Sequence, residues 1–139
     1  MIAKNKIFIS IFIIWLFNLS GIVGILSAYS SWFLGLTPLN LLIYVVLIIW
    51  NLEHISKKFL IAFSIPFFIG FVTEYLGVNH GLLFGTYSYG NNLGIKIWGV
   101  PLMICVNWGL LTFITADLSR LIHKNIFVRS LLGGLLMMI

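Results

Sequence analysis

The chain has 139 residues, 61% of them hydrophobic and only 8% charged, with a mean hydropathy of +1.14 and a formal net charge of +5. Soluble globular domains carry about 25% charged residues, so this composition excludes that class. The apolar runs are long and continuous, without the alternation of barrel strands, which predicts an all-α integral membrane protein.

Lys4 and Lys6 precede a first apolar run, from about Ile7 to Ala28. At ~1.5 Å per residue it is long enough to cross a hydrocarbon core of ~30 Å, and it exceeds the ~7–15 apolar residues of a signal-peptide core. It is therefore expected to be an uncleaved membrane helix, with Tyr29 and Trp32 as interfacial aromatics beyond it. Thr37-Pro38 supplies an N-cap and a first-turn proline for a second helix, from about Pro38 to Ser56. Along it Asn40, Tyr44, Leu47, Asn51 and His54 recur at helical spacing, a largely polar stripe expected to line the bundle interior.

A third helix is expected from about Phe59 to Leu76, bent at Pro66. Ala62, Pro66, Gly70 and Glu74 fall four apart and share one face, and small residues mark the packing side of a membrane helix. Glu74 is thus expected to point into the bundle near its outer end. The connection from Gly77 to Ile97 is long for packed helices and rich in glycine and aromatics; a partly re-entrant loop roofing the bundle is the form such a segment can take. A fourth helix should run from about Trp98 to Thr115, with Pro101 in its first turn. Ser130 to Ile139 has the pattern of a fifth helix interrupted in mid-membrane, as expected of a single membrane domain (residues 1–139) shortened at its C-terminal side.

Seven of the eight lysines and arginines fall on one side of this topology, Lys96 being the exception. That pattern predicts a multi-pass protein of the cell's inner membrane with a cytoplasmic N-terminus, and the dispersed charge gives no nucleic-acid surface. Cys105 is the single cysteine, expected to be a small buried hydrophobe. His54, His80 and His123 lack ligand spacing, so no metal site is expected.

The polar cluster from Glu74 to Trp108 carries the candidate chemistry. Polar groups are costly in lipid, so their concentration asks for a functional reason. Burial disfavours the charged carboxylate, which makes Glu74 in its neutral form a candidate proton donor; a structural tie between helices is the competing role. His80, six residues on, is a candidate relay or a solvated loop histidine. Tyr87 and Tyr89 can donate hydrogen bonds or present π faces to a positive charge, or can belong to an interfacial belt. Trp108 and Asn107 sit at mid-helix depth, suited to packing and interhelical hydrogen bonding or to a pocket wall.

The set Gly70-Phe71-Val72-Thr73-Glu74-Tyr75-Leu76-Gly77-Val78, Gly81, Phe84-Gly85-Thr86-Tyr87-Ser88-Tyr89, Leu93-Gly94, Gly99-Val100-Pro101 and Trp108 resembles the signature of the membrane carotenoid-biosynthesis hydratases, closely over residues 59 to 115. The resemblance implies addition of water to the 1,2 double bond of an acyclic carotenoid end, with no cofactor. It implies Glu74, His80 and Tyr87 as catalytic residues and Tyr89, Trp108, Phe84 and Asn107 as substrate contacts. The lipid bilayer, the carotenoid and other enzymes of carotenoid biosynthesis are the implied partners. Members of that family continue for further helices. A proton-carrying membrane subunit, a transporter fragment and a carotenoid-binding protein without chemistry are the alternatives.

Overall fold

A computed structural model describes residues 2–138. Its helices are α1 (Ile2–Ile25), a short α2 (Ser30–Gly35), α3 (Thr37–Asn51), α4 (Lys57–His80), α5 (Leu102–Ile122) and α6 (Ile126–Leu136). Three stretches, Lys4–Ile25, Lys57–His80 and Leu102–Ile122, are long and apolar enough to cross a membrane, consistent with a multi-pass membrane protein. Large apolar side chains cover the outside, among them Phe8 at 76% and Val23 at 69% exposure, a surface suited to lipid and not to water.

Helix boundaries differ from the sequence reading where a local capping group overrides apolar continuity. The second helix stops at Asn51 instead of reaching Ser56, because Leu52 turns extended and Ser56 serves the next helix as its N-cap, accepting a hydrogen bond from the Phe59 amide at 3.1 Å. α4 likewise runs past Gly77 to His80 and ends only at Gly81, whose φ of 65° closes a left-handed C-cap. Pro66 sits inside α4 without terminating it. Gly77, expected to open the connection, is instead a buried helical residue.

The connection is also more ordered than a plain loop. After a 3-10 turn at Asn91–Leu93, it forms a minimal antiparallel hairpin, β1 (Lys96–Ile97) and β2 (Val100–Pro101), with Lys96 opposite Pro101 and Ile97 opposite Val100. Trp98 and Gly99 both have positive φ, 49° and 83°, the signature of a tight two-residue hairpin turn. That geometry is incompatible with a helix beginning at Trp98, so α5 starts at Leu102 and Pro101 precedes it. Asn79 at the end of α4 donates to the Trp98 carbonyl at 2.9 Å and ties the hairpin down.

α4 and α5 form the central antiparallel pair. Phe59 meets Phe113 edge to face at 5.3 Å, Phe63 lies against Gly109, and Trp108 against Gly70. Cys105 is fully buried, donating weakly to the Pro101 carbonyl. α6 doubles back along α5: Gly133 faces Thr115 and Ser119, and Thr112 donates to the Met137 sulfur. On the other flank α3 binds α1 through a polar ladder. Asn51 donates to Ser10 Oγ at 2.7 Å, while Asn18 and Asn40 both donate to the Tyr44 hydroxyl, at 2.7 and 3.3 Å. Of the polar stripe expected on the second helix, Asn40, Tyr44 and Asn51 join this ladder with Leu47 buried between them, whereas His54 lies past the helix end at Asn51 and is exposed.

Candidate functional site

The bundle's one buried carboxyl among the described residues, Glu74, is 6% exposed and accepts three hydrogen bonds. Tyr87 and Tyr89 each donate to Oε2 at 2.6 Å, and Trp108 Nε1 donates to Oε1 at 3.1 Å. An unprotonated carboxylate has about four acceptor positions, so three are occupied and the remaining one lies on Oε1.

Local sequence explains how three bulky donors reach one side chain. Gly70 and Gly77 flank Glu74 on its own helical face, four residues before and three after. A side-chain carbon at Gly70 would overlap the Trp108 ring, and one at Gly77 would overlap the Tyr87 phenol. The two glycines are thus the clearances through which Trp108 and Tyr87 approach. Tyr89 is positioned from the connection itself, where Lys96 Nζ donates to the Tyr89 carbonyl at 2.6 Å. The two phenol rings stand edge to face, 5.6 Å between centroids, both half-buried.

Electrostatics follow from that enclosure. Desolvation first, then the hydrogen bond to Glu74 and its negative charge, push the Tyr87 phenol from the ordinary 10.0 up to about 12. The same causes push Tyr89 up as well. Both phenols are therefore neutral hydrogen-bond donors through the physiological range.

Of the residues singled out in the sequence, Glu74, Tyr87, Tyr89 and Trp108 converge. His80 does not join them: it is exposed at the end of α4, its ring 5.6 Å from that of Tyr75. Phe84 is 63% exposed on the connection, and Asn107 is half-buried beside Trp108, outside the hydrogen-bonded set. The sequence reading treated Trp108 as a wall and missed its donor role, although a buried indole N–H needs an acceptor. It also missed Lys96, whose only sequence signal was its place on the opposite side from the other basic residues. Among the described residues no three His, Cys, Asp or Glu side chains converge as metal ligands.

These features define a helical protein of membrane-spanning character organised around a buried acid held by aromatic donors. A family model described as carotenoid biosynthesis protein matches residues 35–139, and the chain belongs to that family. The match includes Glu74 and all three of its partners. Family membership gives the protein a role in carotenoid biosynthesis, and the apolar helices fit lipid surroundings and a carotenoid ligand. No curated protein and no solved structure matches the chain.

Proposed function

We propose that the protein is a carotenoid hydratase that adds water across the 1,2 double bond of an acyclic end group. The observation that carries this reading is the hydrogen-bonding of one buried carboxyl by Tyr87, Tyr89 and Trp108. Neutral Glu74 transfers its proton to C2 of the alkene, leaving a tertiary cation at C1. Water attacks C1, and the Glu74 carboxylate takes the proton released by the attacking water, which regenerates the acid. Atoms and charge balance without an oxidant or reductant. Indole and phenol faces can stabilise such a cation, and fixed donors around the carboxylate need little reorganisation when its charge develops.

Tyr87 holds the acid and positions the incoming water, while Tyr89 and Trp108 wall the cationic carbon. Phe84 and Asn107 extend the substrate contact, and His80 receives no proton step in this scheme. With Glu74 almost fully enclosed, the end group gains its Oε1 side by a local opening that keeps the Tyr87 and Tyr89 hydrogen bonds to Oε2 in place. The membrane arrangement that suits this chemistry has α1, α3, α4 and α5 crossing and α6 beginning the return. The connection between α4 and α5 is then a partly re-entrant roof, and the N-terminus is cytoplasmic. Other enzymes of carotenoid biosynthesis are the natural neighbours, supplying the acyclic end and consuming the alcohol.

The test is expression of the chain in a host that accumulates an acyclic carotenoid, with mass spectrometry of the extracted pigments for addition of one water. A hydrated product that disappears in Glu74→Gln supports the reaction and the acid together. A product that persists in Glu74→Gln dismisses Glu74. Pigment that copurifies unchanged, without water-derived oxygen, favours a carotenoid-binding protein.

A further inference from the structure

We propose a second site: the groove between α5 and α6 binds the phosphate of an anionic phospholipid through Arg129 and Arg120. The groove encloses a cavity of about 430 Å³. Both arginines line it, whereas Asp117, the nearest carboxylate in sequence, lies outside the lining and is already paired with Arg120 at 2.8 Å. Arg129 Nε is buried yet has no hydrogen-bond partner among the described residues, an unusual state for a charged group's nitrogen.

The hydroxyls of the groove narrow the ligand class. Thr115 donates to the Leu111 carbonyl, Ser119 to Ala116, Ser130 to Ile126 and Thr112 to the Met137 sulfur, so their hydrogens are committed within the protein. The groove's charged donors are the guanidinium groups, and a ligand recognised there is an acceptor with negative charge. Guanidinium groups are well suited to phosphate oxygens. The rest of the lining, including Ala116, Gly133, Gly134 and Met137, is small or apolar and gives an acyl chain a path along the helices.

Depth agrees with this assignment. Arg120 is in the last turn of α5 and Arg129 in the first turn of α6, on either side of the short connection holding His123 and Lys124. That is the end of a membrane-length helix, where headgroups lie. A net positive bundle end attracts anionic lipid in addition to the local contact.

The test uses the full chain in mild detergent, titrated with phosphatidylglycerol or phosphatidylcholine and read by native mass spectrometry. Phosphatidylglycerol should bind about tenfold more tightly, and Arg129→Gln should remove about that factor. Gly134→Leu supplies an independent check, because a carbon added there meets nothing within 4 Å and leucine favours the helix. It should fill the groove and displace the lipid without lowering the melting temperature. Equal binding of the two lipids, or undiminished phosphatidylglycerol binding by Gly134→Leu, overturns the proposal. So does displacement of the lipid by millimolar inorganic phosphate, which would make the site one for free anions.

Discussion

Two polar clusters sit in this apolar bundle, and they are built on opposite plans. Between α1 and α3, neutral amides and hydroxyls pair across two adjacent helices, Asn51 with Ser10 and Asn18 with Tyr44, while Asn40 donates to the same Tyr44 hydroxyl from within α3. On the other flank a carboxyl on α4 gathers donors from the connection and from α5, at sequence separations of 13, 15 and 34. The first plan ties one helix to another with bonds that are replaceable by packing. The second encloses an ionisable group whose removal would leave several buried donors without an acceptor. Helix adhesion requires only the first, and the second is the plan that the proposed hydration uses.

The largest effect that separates the clusters is on turnover. Glu74→Gln keeps the size of the side chain but cannot lend a proton, and loss of a general acid lowers rate by about 10²–10⁴-fold. The proposed carotenoid hydration, measured in membranes, should fall by that factor while expression persists. Next in size is the tyrosine titration, followed by ultraviolet absorbance of tyrosinate. A phenol raised in the folded state adds stability that is complete below pH 10.0 and is lost as pH climbs through about 12. Glu74→Gln should bring Tyr87 part of the way back, since the carboxylate's contributions go while burial, the leading cause, stays. An unaltered titration in that variant would separate the tyrosines from the acid and undo the cluster as described.

How much of this was legible beforehand depends on how locally each feature is encoded. Helical class and the inward direction of Glu74 follow from composition and from a four-residue spacing, both properties of a single segment. The stripe of Asn40, Tyr44 and Asn51 was visible for the same reason. Helix ends were less so, because Ser56 and Gly81 act as caps through backbone geometry that competes with continuing apolar sequence. The hairpin turn at Trp98-Gly99 was hidden, since a tryptophan at positive φ is not a usual turn signal. The convergence of Tyr87, Tyr89 and Trp108 on one carboxyl is a tertiary fact. Its traces in sequence were the grouping of these side chains between Glu74 and Trp108 and the pair of glycines on either side of Glu74 on its helical face.

Those glycines give a sharper comparison at smaller magnitude. Gly77→Ala adds one carbon where the Tyr87 phenol lies, so it should cost about 1–3 kcal/mol by overpacking and displace Tyr87 from Glu74. A lowered melting temperature together with a tyrosine titration moved toward the ordinary value is the expected pair of readings. A melting change alone would mean that Tyr87 tolerates the shift.

Asn18→Leu, on the neutral ladder, is the matching control. Interhelical side-chain hydrogen bonds in membranes average about 0.6 kcal/mol, and leucine restores apolar contact, so stability should change by about that much or less. Hydration should be unaffected, because Asn18 bonds to Tyr44 and to the Ile14 carbonyl, not to the acid cluster. If Asn18→Leu instead lowered turnover as far as Glu74→Gln does, the division between an adhesive flank and a chemical one would fail. Substrate would then have to be placed along α1 and α3 as well as at Glu74.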